Sequence, residues 1–135
     1  MLYATQQDIS DRYSNNTLLM LTDRDGNDTV DQEVLDGALN DATAEIDSYV
    51  ATKYALPLPT VPTVLVRLCV DISIYRLASG ADLATEEQRK RFDDAIKMLR
   101  DIAKGVSSLG IAQPTPSSNG GVHLVSAPRR FKRRR

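Results

Sequence analysis

The chain has 135 residues, of which 41% are hydrophobic and 26% charged, with five Tyr, two Phe and no Trp, so it is sized for one domain whose core rests on Leu, Ile, Val and Ala. Its formal net charge of −1 hides a strong asymmetry: residues 1–50 carry 11 acidic and 2 basic side chains, and residues 51–135 carry 7 and 15. The lone Cys69 excludes an internal disulfide. There is no apolar run behind a charged start and none of about 18 residues, so the sequence predicts a soluble protein made in the cytoplasm, with no signal peptide and no membrane partner.

Thr5-Gln6-Gln7-Asp8 has the form of a capping box and predicts a short helix over 6–13. Asn15-Asn16 interrupts it, Leu18 to Leu21 form a compact apolar turn, and 22–30 read as a polar loop. Asp31 caps a second helix, with Glu33 in its first turn. Val34, Leu35, Ala38, Leu39, Ala42, Ile46, Tyr49, Val50 and Tyr54 keep the helical period for about six turns. The opposite face carries Asp36, Asn40, Thr43 and Asp47, and Pro57 ends the helix.

Pro57 to Pro62 form a stiff extended link. Pro62 suits the first position of a third helix running to about Ser79, apolar nearly all round and therefore expected at the middle of a bundle. On it Arg67 and Asp71 share a face and read as partners of each other or of a neighbouring helix end, with a site for a ligand carboxylate as the alternative. Gly80 closes this helix. Thr85-Glu86-Glu87-Gln88 is a second capping box, opening a fourth helix that turns Phe92, Ala95, Ile96, Leu99, Ile102 and Ala103 inward and stops at Gly105. The expectation is an all-α bundle of about four helices over residues 1–105, followed by an extended tail, 106–135. In the tail, Gln113 to Gly121 is linker chemistry, Val122 to Val125 alternates weakly, and a basic segment closes the chain.

Candidate sites are few. Asp23, Asp25, Asn27 and Asp31 fall on positions 1, 3, 5 and 9 of a calcium-loop spacing, but Asp28 stands where the loop needs Gly and Val34 where it needs a bidentate Glu. A turn followed by a helix cap accounts better for them. His123 has no partner cluster, and there is no Gly-rich phosphate loop, paired cysteine or His-Glu-x-x-His. The sequence therefore predicts neither an enzyme nor a cofactor. Arg129, Arg130, Phe131, Lys132, Arg133, Arg134 and Arg135 hold six of the 17 basic residues. They read as a solvated end, as a phosphate contact without sequence specificity, or as a docking arm on an acidic protein surface with Phe131 as anchor. The excess of Arg over Lys favours fixed, bidentate contacts.

The order of several segments resembles a known family. These are Met1 to Asp8, Leu21-Thr22-Asp23-Arg24-Asp25-Gly26, Ala44 to Tyr49, Tyr54-Ala55-Leu56-Pro57-Leu58-Pro59, and the helix with Arg67, Asp71-Ile72 and Tyr75-Arg76-Leu77. Over roughly residues 2–111 they are similar to the Mu-type phage head–tail connector, or adaptor, proteins, with Pro128-Arg129-Arg130-Phe131 echoing that family's C-terminal segment. The resemblance implies a helical virion subunit at the head–tail junction. It would form a ring of about twelve copies beneath the portal protein, meet the tail or a tail-terminator or stopper protein, and line part of the channel for genomic DNA. A head-to-tail ring needs two complementary patches on each copy. Asp36 and Asp47 on the acidic second helix are the expected subunit-interface residues, and the basic end is the expected docking arm. The alternative is a small DNA-binding or packaging-accessory protein that grips phosphate with the same end.

Overall fold

The computed structural model describes residues 1–112. Among them are five helices: α1 (Gln6–Tyr13), α2 (Asn15–Thr22), α3 (Gln32–Val50), α4 (Thr63–Gly80) and α5 (Glu86–Lys104). The fold is all-α. The expected linker, the Val122 to Val125 stretch, His123 and the basic end Arg129 to Arg135 lie outside the described residues.

The extra helix lies where the sequence suggested an apolar turn. Ser14 stops α1 and starts α2 at once: its N–H donates to Ser10 O at 3.0 Å, and its Oγ accepts from Thr17 N at 3.3 Å. That dual role holds Ser14 at φ 105°, which is strained for a residue with a side chain. Asn15 and Asn16 become the first turn of α2, where their low helix propensity matters least, and Leu18, Leu21 and Thr22 are buried.

Helix α4 is the axis of the bundle. Leu65, Leu68, Cys69, Val70, Ile72, Ile74 and Leu77 are each 2% exposed or less, as the sequence predicted for a helix apolar nearly all round. α3 and α5 flank α4 and also touch each other, while α1 and α2 close the remaining side. Each fully buried Leu or Ile is worth about 1.5–3 kcal/mol relative to exposure, and α4 buries more residues than any other helix, so it contributes the largest single share. Burial also pushes the Cys69 thiol up from its ordinary pKa, which makes it an inert core side chain.

Three expectations need correction. α3 ends at Val50 rather than continuing to Tyr54, and turns at Thr52 to Tyr54 bring Tyr54 back into the core. Thr43 is buried, because its Oγ1 accepts the Tyr3 N–H at 3.4 Å and lies 4.0 Å from Cys69 Sγ. Pro62 is the N-cap of α4, one residue before the first helical position. Both predicted capping boxes are present, at Thr5/Asp8 and Thr85/Gln88, and Gly105 closes α5 in the left-handed region at φ 80°. Beyond Gly105 the chain folds back. Leu109 is buried, its N–H donates to Tyr54 Oη at 3.0 Å, and Ile111 packs on the core.

Candidate functional site

A groove of about 480 Å³ runs between the end of α1 and the facing sides of α4 and α5. Arg12 and Tyr13 come from the last turn of α1, Arg67, Leu68 and Asp71 from the first half of α4, and Arg91, Asp94, Ala95 and Met98 from α5. Leu68, Ala95 and Met98 supply apolar lining, and three guanidinium groups stand against the carboxylates of Asp71 and Asp94, so cations outnumber anions by one.

The sequence put Arg67 and Asp71 on one face, and both do line this groove. They are not an ion pair. Asp71 instead accepts the Tyr13 hydroxyl at 2.8 Å, a contact to the end of a neighbouring helix. Burial, with Asp71 as acceptor, raises the Tyr13 pKa although Arg91 opposes the shift. Arg91 lies 5.4 Å from the centre of the Tyr13 ring and pairs with Glu87 one turn earlier at 2.7 Å. Arg12 and Arg67 are exposed and have no hydrogen bond or ion pair among the described residues. Two planar cations with all their donors free, above an apolar floor, suit a carboxylate-bearing protein surface.

The opposite charge collects at the far end of α4. Arg24, in the loop after α2, donates from Nη1 to Gly80 O at 3.1 Å and from Nη2 to Leu77 O at 3.3 Å. It caps the C-terminal carbonyls of α4, where a cation is favoured by the helix dipole. Gly80 leaves room for this: a Cβ there would meet Arg24 Nη2 at 3.1 Å. The strap fixes the acidic loop beside the end of α4. Asp25, Asp28, Glu33 and Asp36 are exposed around it and form no ion pair among the described residues. Met20 just before the loop and Leu83 just after α4 are exposed at 60% and 46%. Arg67 and Gly80 are 13 residues apart on one helix, so the groove and the acidic end are separated by about 20 Å.

The calcium-like spacing is a turn and a cap. Asp23 Oδ1 and Oδ2 accept the N–H groups of Asn27 and Asp28, each at 3.0 Å, and Gly26 and Asp28 take positive φ to allow it. Asp31 caps α3 by accepting from Glu33 N and Val34 N. Asp25 and Asn27 point no side chain into that network. Among the described residues no three His, Cys, Asp or Glu side chains gather as a metal site would require. Asp36 is exposed and accepts from Gln32 Nε2 at 2.9 Å. Asp47 is half-buried and accepts a short hydrogen bond from Tyr3 Oη, so its carboxylate is already engaged within the subunit.

Sequence reasoning missed Arg12 and Arg91 as groove residues and Arg24 as a cap. Arg91 sits among mixed charges on α5 and reads as solvated surface, and the partners of Arg24 are 53 and 56 residues away. No helix among the described residues is long and apolar enough to cross a membrane.

Comparison with known proteins agrees with the early resemblance. The family described as Bacteriophage Mu, Gp36 matches residues 3–126. A protein named Mu-like prophage FluMu protein gp36, from Haemophilus influenzae, is 35% identical over 129 residues, covering 94% of this chain and 90% of its own length. Gene product J of Escherichia phage Mu is 32% identical over 126 residues, covering 93% and 88% respectively. A match that runs through α1 to α5 and beyond them places this chain in the Bacteriophage Mu Gp36 family of Mu-type phage proteins.

Proposed function

We propose that the protein is a structural, non-enzymatic subunit of the phage head–tail connector. It assembles as a ring beneath the portal, joins the capsid to the tail or to a tail-terminator or stopper protein, and forms part of the channel through which DNA passes. The observation that carries this reading is the segregation of charge on a small helical body. An acidic end and a basic groove on one subunit are the two unlike patches that a closed head-to-tail ring requires. Membership of a Mu-type phage family supplies the setting. The basic end, Arg129 to Arg135, serves as the docking arm toward the portal or the next subunit.

Deleting residues 126–135 tests the arm. Circular dichroism should show an unchanged helical fold, and particles made with the truncated chain should contain filled heads without attached tails. Normal tailed particles would remove the arm from the mechanism. The second reading, a DNA-binding accessory protein, draws on the six cations in seven residues. Salt-sensitive gel-shift binding lost on the same truncation, with tail joining intact, would favour it.

A further inference from the structure

We infer that the groove between α1, α4 and α5 receives the acidic end of a second copy of this chain, forming the repeating contact of the ring. The assignment rests on the connector reading and gives it a location. Three observations carry it. Arg12 and Arg67 stand at the groove with every donor unengaged, although this chain carries an excess of acidic groups outside its basic end. The acidic end has what such a groove takes, since Asp25, Asp28, Glu33 and Asp36 are free of ion pairs and Met20 offers an exposed apolar knob.

The third observation is geometric. Arg24 straps the acidic loop to Leu77 and Gly80 at the end of α4, about 20 Å along the helix from Arg67. Within one molecule the complementary patches therefore cannot meet. Between molecules each copy offers one patch and fills the other, which propagates head to tail and closes when the rotation allows. Asp71 has one oxygen occupied by the Tyr13 hydroxyl and Asp94 lies on the α5 side of the groove, so the incoming carboxylates are received by Arg12 and Arg67. The contact is charge-assisted and should weaken as salt rises.

The test uses full-length protein carrying either Arg67→Glu or the pair Glu33→Lys and Asp36→Lys. These exposed residues carry no tertiary bond, so circular dichroism should report intact helices. Sedimentation velocity and negative-stain microscopy, alone and in assembled particles, should show self-association at least about tenfold weaker for each variant. The two variants mixed should associate again, because the sound acidic end of one meets the sound groove of the other and the two reversed patches complement each other in turn. Wild-type-like rings from Arg67→Glu would overturn the groove assignment and leave the connector reading standing. A single wild-type copy per particle would overturn both. Loss of DNA binding by Arg67→Glu with undiminished assembly would overturn the assignment in favour of a phosphate ligand.

Discussion

Replacing Tyr54 by Phe removes one oxygen from the point where the chain beyond α5 rejoins the bundle. Tyr54 is 3% exposed, and its hydroxyl accepts the Leu109 N–H at 3.0 Å, with Ser108 Oγ at 3.4 Å. The variant leaves a buried backbone donor without that acceptor, at a cost of about 1–3 kcal/mol. An upper limit applies, because the segment can release Leu109 instead, and burial of one Leu is itself worth about 1.5–3 kcal/mol. The two routes are similar in cost, so we expect a net loss of about 1–2 kcal/mol, divided between global unfolding and local release. Urea denaturation reads the first. Amide hydrogen exchange at Leu109 reads the second, and should rise roughly tenfold for each 1.4 kcal/mol lost locally. For a folded region of about 100 residues the global share lowers Tm by about 4–8 °C per kcal/mol. Unchanged urea midpoint together with unchanged Leu109 protection would refute the reasoning, since the bond would then contribute nothing. The same bond, with Ile111 packed on the core, holds the segment after α5 against the bundle.

Two further outcomes follow from buried polar groups. Ser73 Oγ is fully buried on α4 with no hydrogen-bond partner among the described residues, so Ser73→Ala should be neutral or stabilise by up to about 1 kcal/mol in thermal denaturation; a clear loss of stability would mean that the hydroxyl is bonded in solution. Tyr3 is held protonated well above the ordinary tyrosine range by burial, by donation to Asp47 and by that carboxylate's charge. Above the unfolded tyrosine pKa of about 10 the unfolded chain releases a proton that the native state keeps. This stabilisation is complete below that pH and declines as pH rises beyond it, and Tyr13 acts in the same direction. The urea midpoint should fall above pH 10, less steeply in Tyr3→Phe, and a flat profile for the wild type would contradict the assignment.

The particular elements divide by the range of their causes. Thr5 with Asp8, and Thr85 with Gln88, are three residues apart, so composition and spacing alone place both helix starts. The apolar residues of α4, spread nearly all round it, likewise declare a central helix, since most of its surface cannot be left in water. The break at Asn15-Asn16 was visible too, yet the helix after it was not. Its start depends on Ser14 taking φ 105° while it closes α1 and caps α2, with Leu18 and Leu21 buried in the turns that follow. Thr43 was misplaced for a related reason: a polar side chain on a helix is read as facing water until its partner, the Tyr3 N–H, is known.

The candidate site was legible only in fragments. Arg67 and Asp71 share a face by the four-residue period, as read from the chain, but the choice of partner for Asp71 belonged to Tyr13, 58 residues earlier. The sequence by itself determined the helical class, the caps at Thr5, Asp31, Thr85 and Gly105, the central position of α4 and the segregation of charge along the chain, because each depends on neighbours within a turn or two or on simple counting. The tertiary structure alone decided that three arginines from three helices share one groove and that the acidic loop is tied to the far end of α4. Those placements arise from contacts between residues far apart in the chain, such as Tyr13 with Asp71 and Arg24 with Gly80, and local periodicity carries no information about such pairs.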